Sequence, residues 1–177
     1  EHGYAVRGSV RNLNDPSKTD HVLAHAKQLG FEDRLELVEG DVLDADVWVN
    51  HLAGCDGLFH TATLYSTRDS ATTILDTANK GTAHLLHAAA EAGIQRVVYT
   101  SSTAAVGNAP RGKLKDEAVW NEDTSLPYSV AKTQSERLAW SLSEELNLDL
   151  RVINPTAVLG GGFVQPTPSV DYFQDAM

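Results

Sequence analysis

Short apolar runs of strand-forming residues alternate with helix-length segments along this chain, and that alternation confines it to an α/β architecture built on a parallel sheet. Residues 4–10, 35–38, 57–60, 97–99 and 148–153 read as strands, while residues 17–29, 45–52, 72–92 and 128–146 read as helices. A parallel neighbour can be reached only by a crossover, and crossovers are right-handed, so helices are expected on both faces of a doubly wound sheet. Gly30 and Gly93 stand where two of the helices should stop. In the long third helix, Leu85, Leu86, Ala88 and Ala89 fall on the face expected to point inward.

The pattern enters the fold partway through. Glu1-His2-Gly3 reads as the last turn and glycine cap of a helix, so the first strand and its glycine-rich turn are expected to be missing. At the other end, Gly160-Gly161-Gly162-Phe163 to Met177 closes no element, which reads as a truncated C-terminal substrate region. In the doubly wound order 3-2-1-4-5-6 the first strand lies mid-sheet, and its loss leaves two unpaired edges. A chain of this kind is expected to fold poorly alone or to belong to a longer protein.

Composition excludes several classes. A length of 177 residues with 42% hydrophobic and 21% charged residues suits one globular domain. The 14 Lys and Arg against 24 Asp and Glu leave a net charge of −10, which argues against nucleic-acid and anionic-membrane partners. No apolar run approaches the ~20 residues of a membrane span. Cys55 is the single cysteine, so no internal disulfide forms, and a reducing, cytoplasmic location is expected. His21 with His25, and His84 with His87, share helix faces, but each pair lies within one helix and lacks the converging Cys or carboxylate ligands of a metal site. No metal is expected.

The chemistry concentrates in two segments. In Leu126-Pro127-Tyr128-Ser129-Val130-Ala131-Lys132, a helix would project Tyr128 and Lys132 from one face, four residues apart. A free tyrosine titrates near pH ~10, and a neighbouring ammonium favours its phenolate by about 1.4 kcal/mol for each unit of pKa. Upstream, the strand residues Val97-Val98-Tyr99 run into Thr100-Ser101-Ser102-Thr103, placing hydroxyls at the strand end where open α/β sheets take their ligands. Ser102 precedes Tyr128 by 128 − 102 = 26 residues, enough for a loop and the start of a returning helix. A hydroxyl at Ser102 would hold a carbonyl oxygen while the phenol of Tyr128 protonates it. Read blandly, Thr100 to Thr103 are turn and cap residues, and Tyr128 and Lys132 a solvated surface pair.

The succession Asp41-Val42, His60-Thr61-Ala62-Thr63, Thr100-Ser101-Ser102, Tyr128-x-x-x-Lys132 and Asn154-Pro155-Thr156 resembles the extended short-chain dehydrogenase/reductases, which include nucleotide-sugar epimerases and dihydroflavonol-4-reductase-like enzymes. The resemblance covers nearly the whole chain and implies a partial NAD(P)-binding, Rossmann-like domain over residues 1–177, from second to about sixth strand. It further implies that Ser102 polarises the carbonyl, that Tyr128 exchanges the proton, and that Lys132 holds the nicotinamide ribose and lowers the tyrosine pKa. Asp41 and Val42 would contact adenine, Thr61, Ala62 and Thr63 would line the cofactor, and Pro155 and Thr156 would border the nicotinamide. The family's glycine-rich phosphate loop is not in this chain. At its fourth-helix asparagine position the chain has alanine, in Ala78-Asn79-Lys80-Gly81-Thr82. Arg11 and Lys18 look like the pair that holds the 2′-phosphate in dihydroflavonol-reductase-like proteins, and no acid follows the strand Arg7-Gly8-Ser9-Val10 until Asp15, so NADP(H) is favoured over NAD(H).

The function so implied is NADP(H)-dependent reduction of a carbonyl, or oxidation of an alcohol, on a small organic substrate. A nucleotide-sugar epimerase or dehydratase with bound NAD is the second reading, and a non-catalytic NADP-binding scaffold the third. A homodimer through residues 72–92 and 127–146 is a further implication of the resemblance. Residues 107–127 would help select the substrate.

Overall fold

The structure is a computed structural model that describes residues 2–64 and 69–158. Two compact units are found, one carrying the residues up to Asp41 and the other Val42–Thr156. Glu1, and the tail from Gly160 to Met177 in which a truncated substrate region was expected, lie outside the described residues.

The first unit holds β1 (Val6–Val10), α1 (Pro16–Leu29) and β2 (Leu35–Glu39). Its strands pair in parallel, with Val6 opposite Leu35 and Val10 opposite Glu39. Local chemistry sets the bounds of α1. The Asp15 carboxylate caps it by accepting the Ser17 N–H at 3.0 Å, and Pro16 supplies a first helical residue that needs no N–H partner. At the other end Gly30 takes φ 71°, and the N–H groups of Gly30 and Phe31 donate to Lys27 and Ala26 at 3.1 and 2.9 Å. The first strand is shorter than its pattern: Tyr4 stands 78% exposed and outside the ladder, which begins at Val6.

The second unit holds α2 (Trp48–Leu52), β3 (Gly57–His60), α3 (Ala71–Glu91), β4 (Arg96–Thr100), α4 (Pro127–Glu145) and β5 (Asp149–Ile153). β4 is central in its parallel sheet, and Val97 sits opposite both Leu58 and Leu150. α3 packs along α4, and α2 packs on α3. Their apolar stripes close over Val97 and Leu150, with Leu86, Ala89 and Ala139 fully buried. Ile94 and Leu85 complete the contact, so the inward face expected for α3 is the face that the core uses.

The parallel sheets and alternating helices give the α/β class expected. Within each unit the strands are parallel, in the orders β1-β2 and β3-β4-β5. One helix contracts relative to expectation. α2 was expected from residue 45 and begins at Trp48, because Asp44 turns its carboxylate onto the Asp46 N–H at 3.2 Å and holds that stretch as a turn. The N-cap of α2 is Val47.

Gly81 is needed for close approach. A Cβ built there would lie 3.0 Å from both Cβ and Cγ2 of Val42, while the Val42 carbonyl is held by His84 Nδ1 at 2.9 Å. Gly81→Ala gains about 1 kcal/mol of helix propensity but pushes Val42 against that tether at a cost of about 1–3 kcal/mol. We expect a net loss on the order of 1 kcal/mol, read as a lower urea midpoint at unchanged m-value.

Candidate active site

Three segments of the second unit bring chemistry to the C-terminal end of its sheet: the residues after β3, those after β4, and the first two turns of α4. α4 begins at Pro127, whose fixed φ and missing N–H suit the first helical position. Tyr128 follows directly, half-buried, and Lys132 comes one turn later with 4% exposure. The Lys132 ammonium stands 5.9 Å from the centroid of the Tyr128 ring. Lys132 Nζ donates to the Thr100 carbonyl at 3.2 Å, so the end of β4 aims the ammonium and leaves two of its three N–H donors for another partner.

Ser102 continues from β4 in extended conformation and caps a short 3-10 turn, Thr103–Ala105, which packs on α4. Its Oγ accepts the Ala104 N–H at 3.1 Å. With the oxygen so occupied, the single hydroxyl proton of Ser102 is left as a donor. The backbone ladder runs on past the strand ends, since Ser101 N donates to Ile153 O at 2.8 Å and Thr103 N to Pro155 O at 3.0 Å. Pro155 is thereby fixed beside the residue after Ser102, and the exposed Thr156 follows it.

Val42, Ala62, Thr63 and Lys132 line one cavity, together with His60 and Tyr99. Four residues expected to meet the cofactor thus converge, and Thr61 adjoins them, exposed just after β3. Ser102 and Tyr128 do not line that cavity. Arg11, Lys18 and Asp41 belong to the first unit. There Arg11 follows β1 and Lys18 lies in the first turn of α1, both exposed, while the nearest following acid, Asp15, is engaged as the α1 cap. Hydrogen bonds from Ser17 hold the Asp15 carboxyl below its usual range.

Burial governs the electrostatics. It pushes Lys132 down to about 8, and the carboxylate of Glu136 opposes the change. His60 is pushed down to about 4, first by burial and then by the charge of Lys132, so its imidazole is neutral at pH 7. Neither His60 nitrogen has a partner among the described residues; the ring instead meets Tyr99 edge-on, with centroids 5.0 Å apart. Burial raises Tyr99, whose hydroxyl bonds Ser135 Oγ at 2.9 Å and Thr82 Oγ1 at 3.1 Å.

Sequence reasoning passed over three members of this neighbourhood. His60 appeared in it only as part of a motif, and Glu136 and Ser135 not at all. Their one signal is position: Ser135 and Glu136 lie on the buried face of an α4 that the helical period already defines through Lys132 and Ala139.

A family model described as the NAD dependent epimerase/dehydratase family matches residues 1–175. Cinnamoyl-CoA reductase 2 of Medicago truncatula is 39% identical, over 94% of this chain and 50% of the relative. The bifunctional dihydroflavonol 4-reductase/flavanone 4-reductase of Pyrus communis is 32% identical, over 94% and 50%. Among solved structures, Gre2 of Candida albicans in complex with NADPH superposes with a TM-score of 0.73 at 26% identity, over 89% of this chain and 52% of that one. The chain spans about half the length of the curated relatives it matches. With the matched region running through every described element of both sheets, the chain belongs to the NAD dependent epimerase/dehydratase family, the extended short-chain dehydrogenase/reductases.

Proposed function

We propose that this chain carries the acid-base and cofactor-facing part of an NADP(H)-dependent oxidoreductase that reduces a carbonyl, or oxidises an alcohol, of a small organic substrate. The observation that carries this reading is the buried ammonium of Lys132 held over the Tyr128 ring by the Thr100 carbonyl. A cation in that position favours the phenolate and so helps the phenol give up its proton. Ser102, with its hydroxyl proton free to donate, would hold the carbonyl oxygen that Tyr128 protonates.

The residues present fit a nicotinamide cofactor. Ala62 and Thr63 line the same cavity as Lys132, whose two remaining donors suit ribose hydroxyls. When bound, that cofactor supplies or accepts the hydride, and the protein's part is orientation and proton transfer. Thr61, Pro155 and Thr156 would border it, and Asp41 and Val42 would contact adenine. Arg11, with no acid between it and Asp15, and Lys18 in the first turn of α1 suit a 2′-phosphate, which favours NADP(H) over NAD(H). The names of the relatives support reduction of an aromatic thioester or ketone over nucleotide-sugar chemistry.

The test is NAD(P)H consumption by the full-length protein with a panel of aryl thioesters, dihydroflavonols and nucleotide sugars. We expect turnover in the first two groups, with NADPH preferred. Arg11→Glu should raise KM for NADPH roughly ten- to a hundredfold, the loss of a charge-assisted contact worth ~1.5–3 kcal/mol, and leave KM for NADH near wild type. Equal losses for both cofactors refute the phosphate assignment, and turnover of nucleotide sugars alone refutes the reductase.

A further inference from the structure

Glu136 is an expensive residue in its place. Its side chain lies in the core at 3% exposure, one turn beyond Lys132 and two beyond Tyr128 on α4. A buried carboxylate loses most of its hydration and persists only where hydrogen bonds or a charge replace it. Both of its oxygens are engaged, Oε2 by Asn154 Nδ2 at 2.8 Å and Oε1 by Trp140 Nε1 at 3.4 Å.

Asn154 carries the connection onward. The same Nδ2 donates to the Ser102 carbonyl at 3.1 Å, so one amide nitrogen joins α4 to the backbone of Ser102. A carbonyl and a carboxylate only accept, and that fixes which end of the amide faces them. Asn154 directly follows β5, and its side chain lies between the two extra rungs, Ser101 N to Ile153 O and Thr103 N to Pro155 O. Ser102 is therefore held from three sides. Packing alone could have tied α4 to β5, because an apolar pair of similar volume usually costs less than a buried charge. A retained charge calls for an electrostatic role.

We propose that Glu136, acting through Asn154, is a positioning residue that fixes the backbone of Ser102 and, one turn from the buried Lys132 on α4, serves as its counter-charge. The inference rests on the Ser102, Tyr128 and Lys132 reading given above. The other titratable groups around Lys132 lend it no negative charge: His60 from β3 is neutral, Tyr99 from β4 is a hydrogen-bonded phenol, and Tyr128 on α4 is the phenol to be activated. Glu136 opposes the effect of burial on the ammonium.

The experiment uses Glu136→Gln, which keeps an acceptor for Asn154 and removes the charge. With isotope-labelled lysine, the Cε resonance of Lys132 in the full-length protein should titrate on the order of one pH unit lower than in wild type. Glu136→Asp retains the charge and shortens the reach to Asn154, so it should leave the titration near wild type and lower kcat. Asn154→Ala, which keeps the Glu136 charge but takes away the donor to its Oε2, should lower kcat about ten- to a hundredfold with KM for the cofactor unchanged, the signature of a displaced Ser102. A Lys132 titration that does not move in Glu136→Gln overturns the proposal, as does an intact kcat in Asn154→Ala. If the titration moves as expected but wild-type protein reduces no carbonyl, the counter-charge stands and the reductase reading fails.

Discussion

Tyr128→Phe should lower kcat for carbonyl reduction by about 10²- to 10⁴-fold, the range set by removal of a positioned general acid. That corresponds to roughly 3–5 kcal/mol of lost transition-state stabilisation. KM should change little, because the substitution takes away one hydroxyl and leaves the ring. Stability should also stay close to wild type, since Tyr128 is half-buried at the start of α4 and its ring keeps its place beside the Lys132 ammonium. Comparable losses of kcat and of Tm would show a structural tyrosine instead of a proton donor. The pH profile adds a second reading of the same pair. Lys132 is lowered to about 8, so its charge is full at pH 6 and fades as the pH rises past that value. Support for the phenolate then fades too, and reduction should fall off on the alkaline side of about pH 8.

Acid should weaken the fold through His60 by roughly 2–3 kcal/mol between pH 7.5 and 4.5. In the native state this imidazole is held neutral down to about 4, whereas in the unfolded chain it takes up its proton near 6.5. Because the folded pKa is the depressed one, the stability is fully present above 6.5 and is lost as the pH falls toward 4. Each unit of that gap is worth about 1.4 kcal/mol. Carboxylates elsewhere also respond to acid, so the informative quantity is the difference from His60→Leu, which cannot titrate and leaves the Tyr99 ring an apolar neighbour. Urea unfolding at both pH values measures it, and parallel profiles for the two proteins would show that His60 contributes nothing to acid sensitivity.

The order of elements was legible because strand and helix periods differ, and among the described residues five strands and four helices appear where Val97, Leu86 and their equivalents place them. Ends were harder to read. Asp15, Pro16 and Gly30 announce α1 by their own backbone chemistry, but the start of α2 depends on an Asp44 side chain that competes with the helix for an N–H. The site shows the same division. Tyr128 and Lys132 follow from one spacing on one helix, while the link from Glu136 through Asn154 to Ser102 joins residues 18 and 52 positions apart and has no local pattern to betray it. His60 escaped notice for a related reason, since an isolated imidazole reveals its charge state only once the groups that bury it are known.

β4 occupies the middle of its sheet, and it presents both the carbonyl that aims Lys132 and the segment that leads to Ser102. Amide protons on such a strand exchange through openings nearly as costly as global unfolding. The proposed reactive groups are therefore mounted on the part of the unit that lets go last. Heat inactivation should track loss of the whole unit, with no earlier stage in which the chemistry fails while the fold survives.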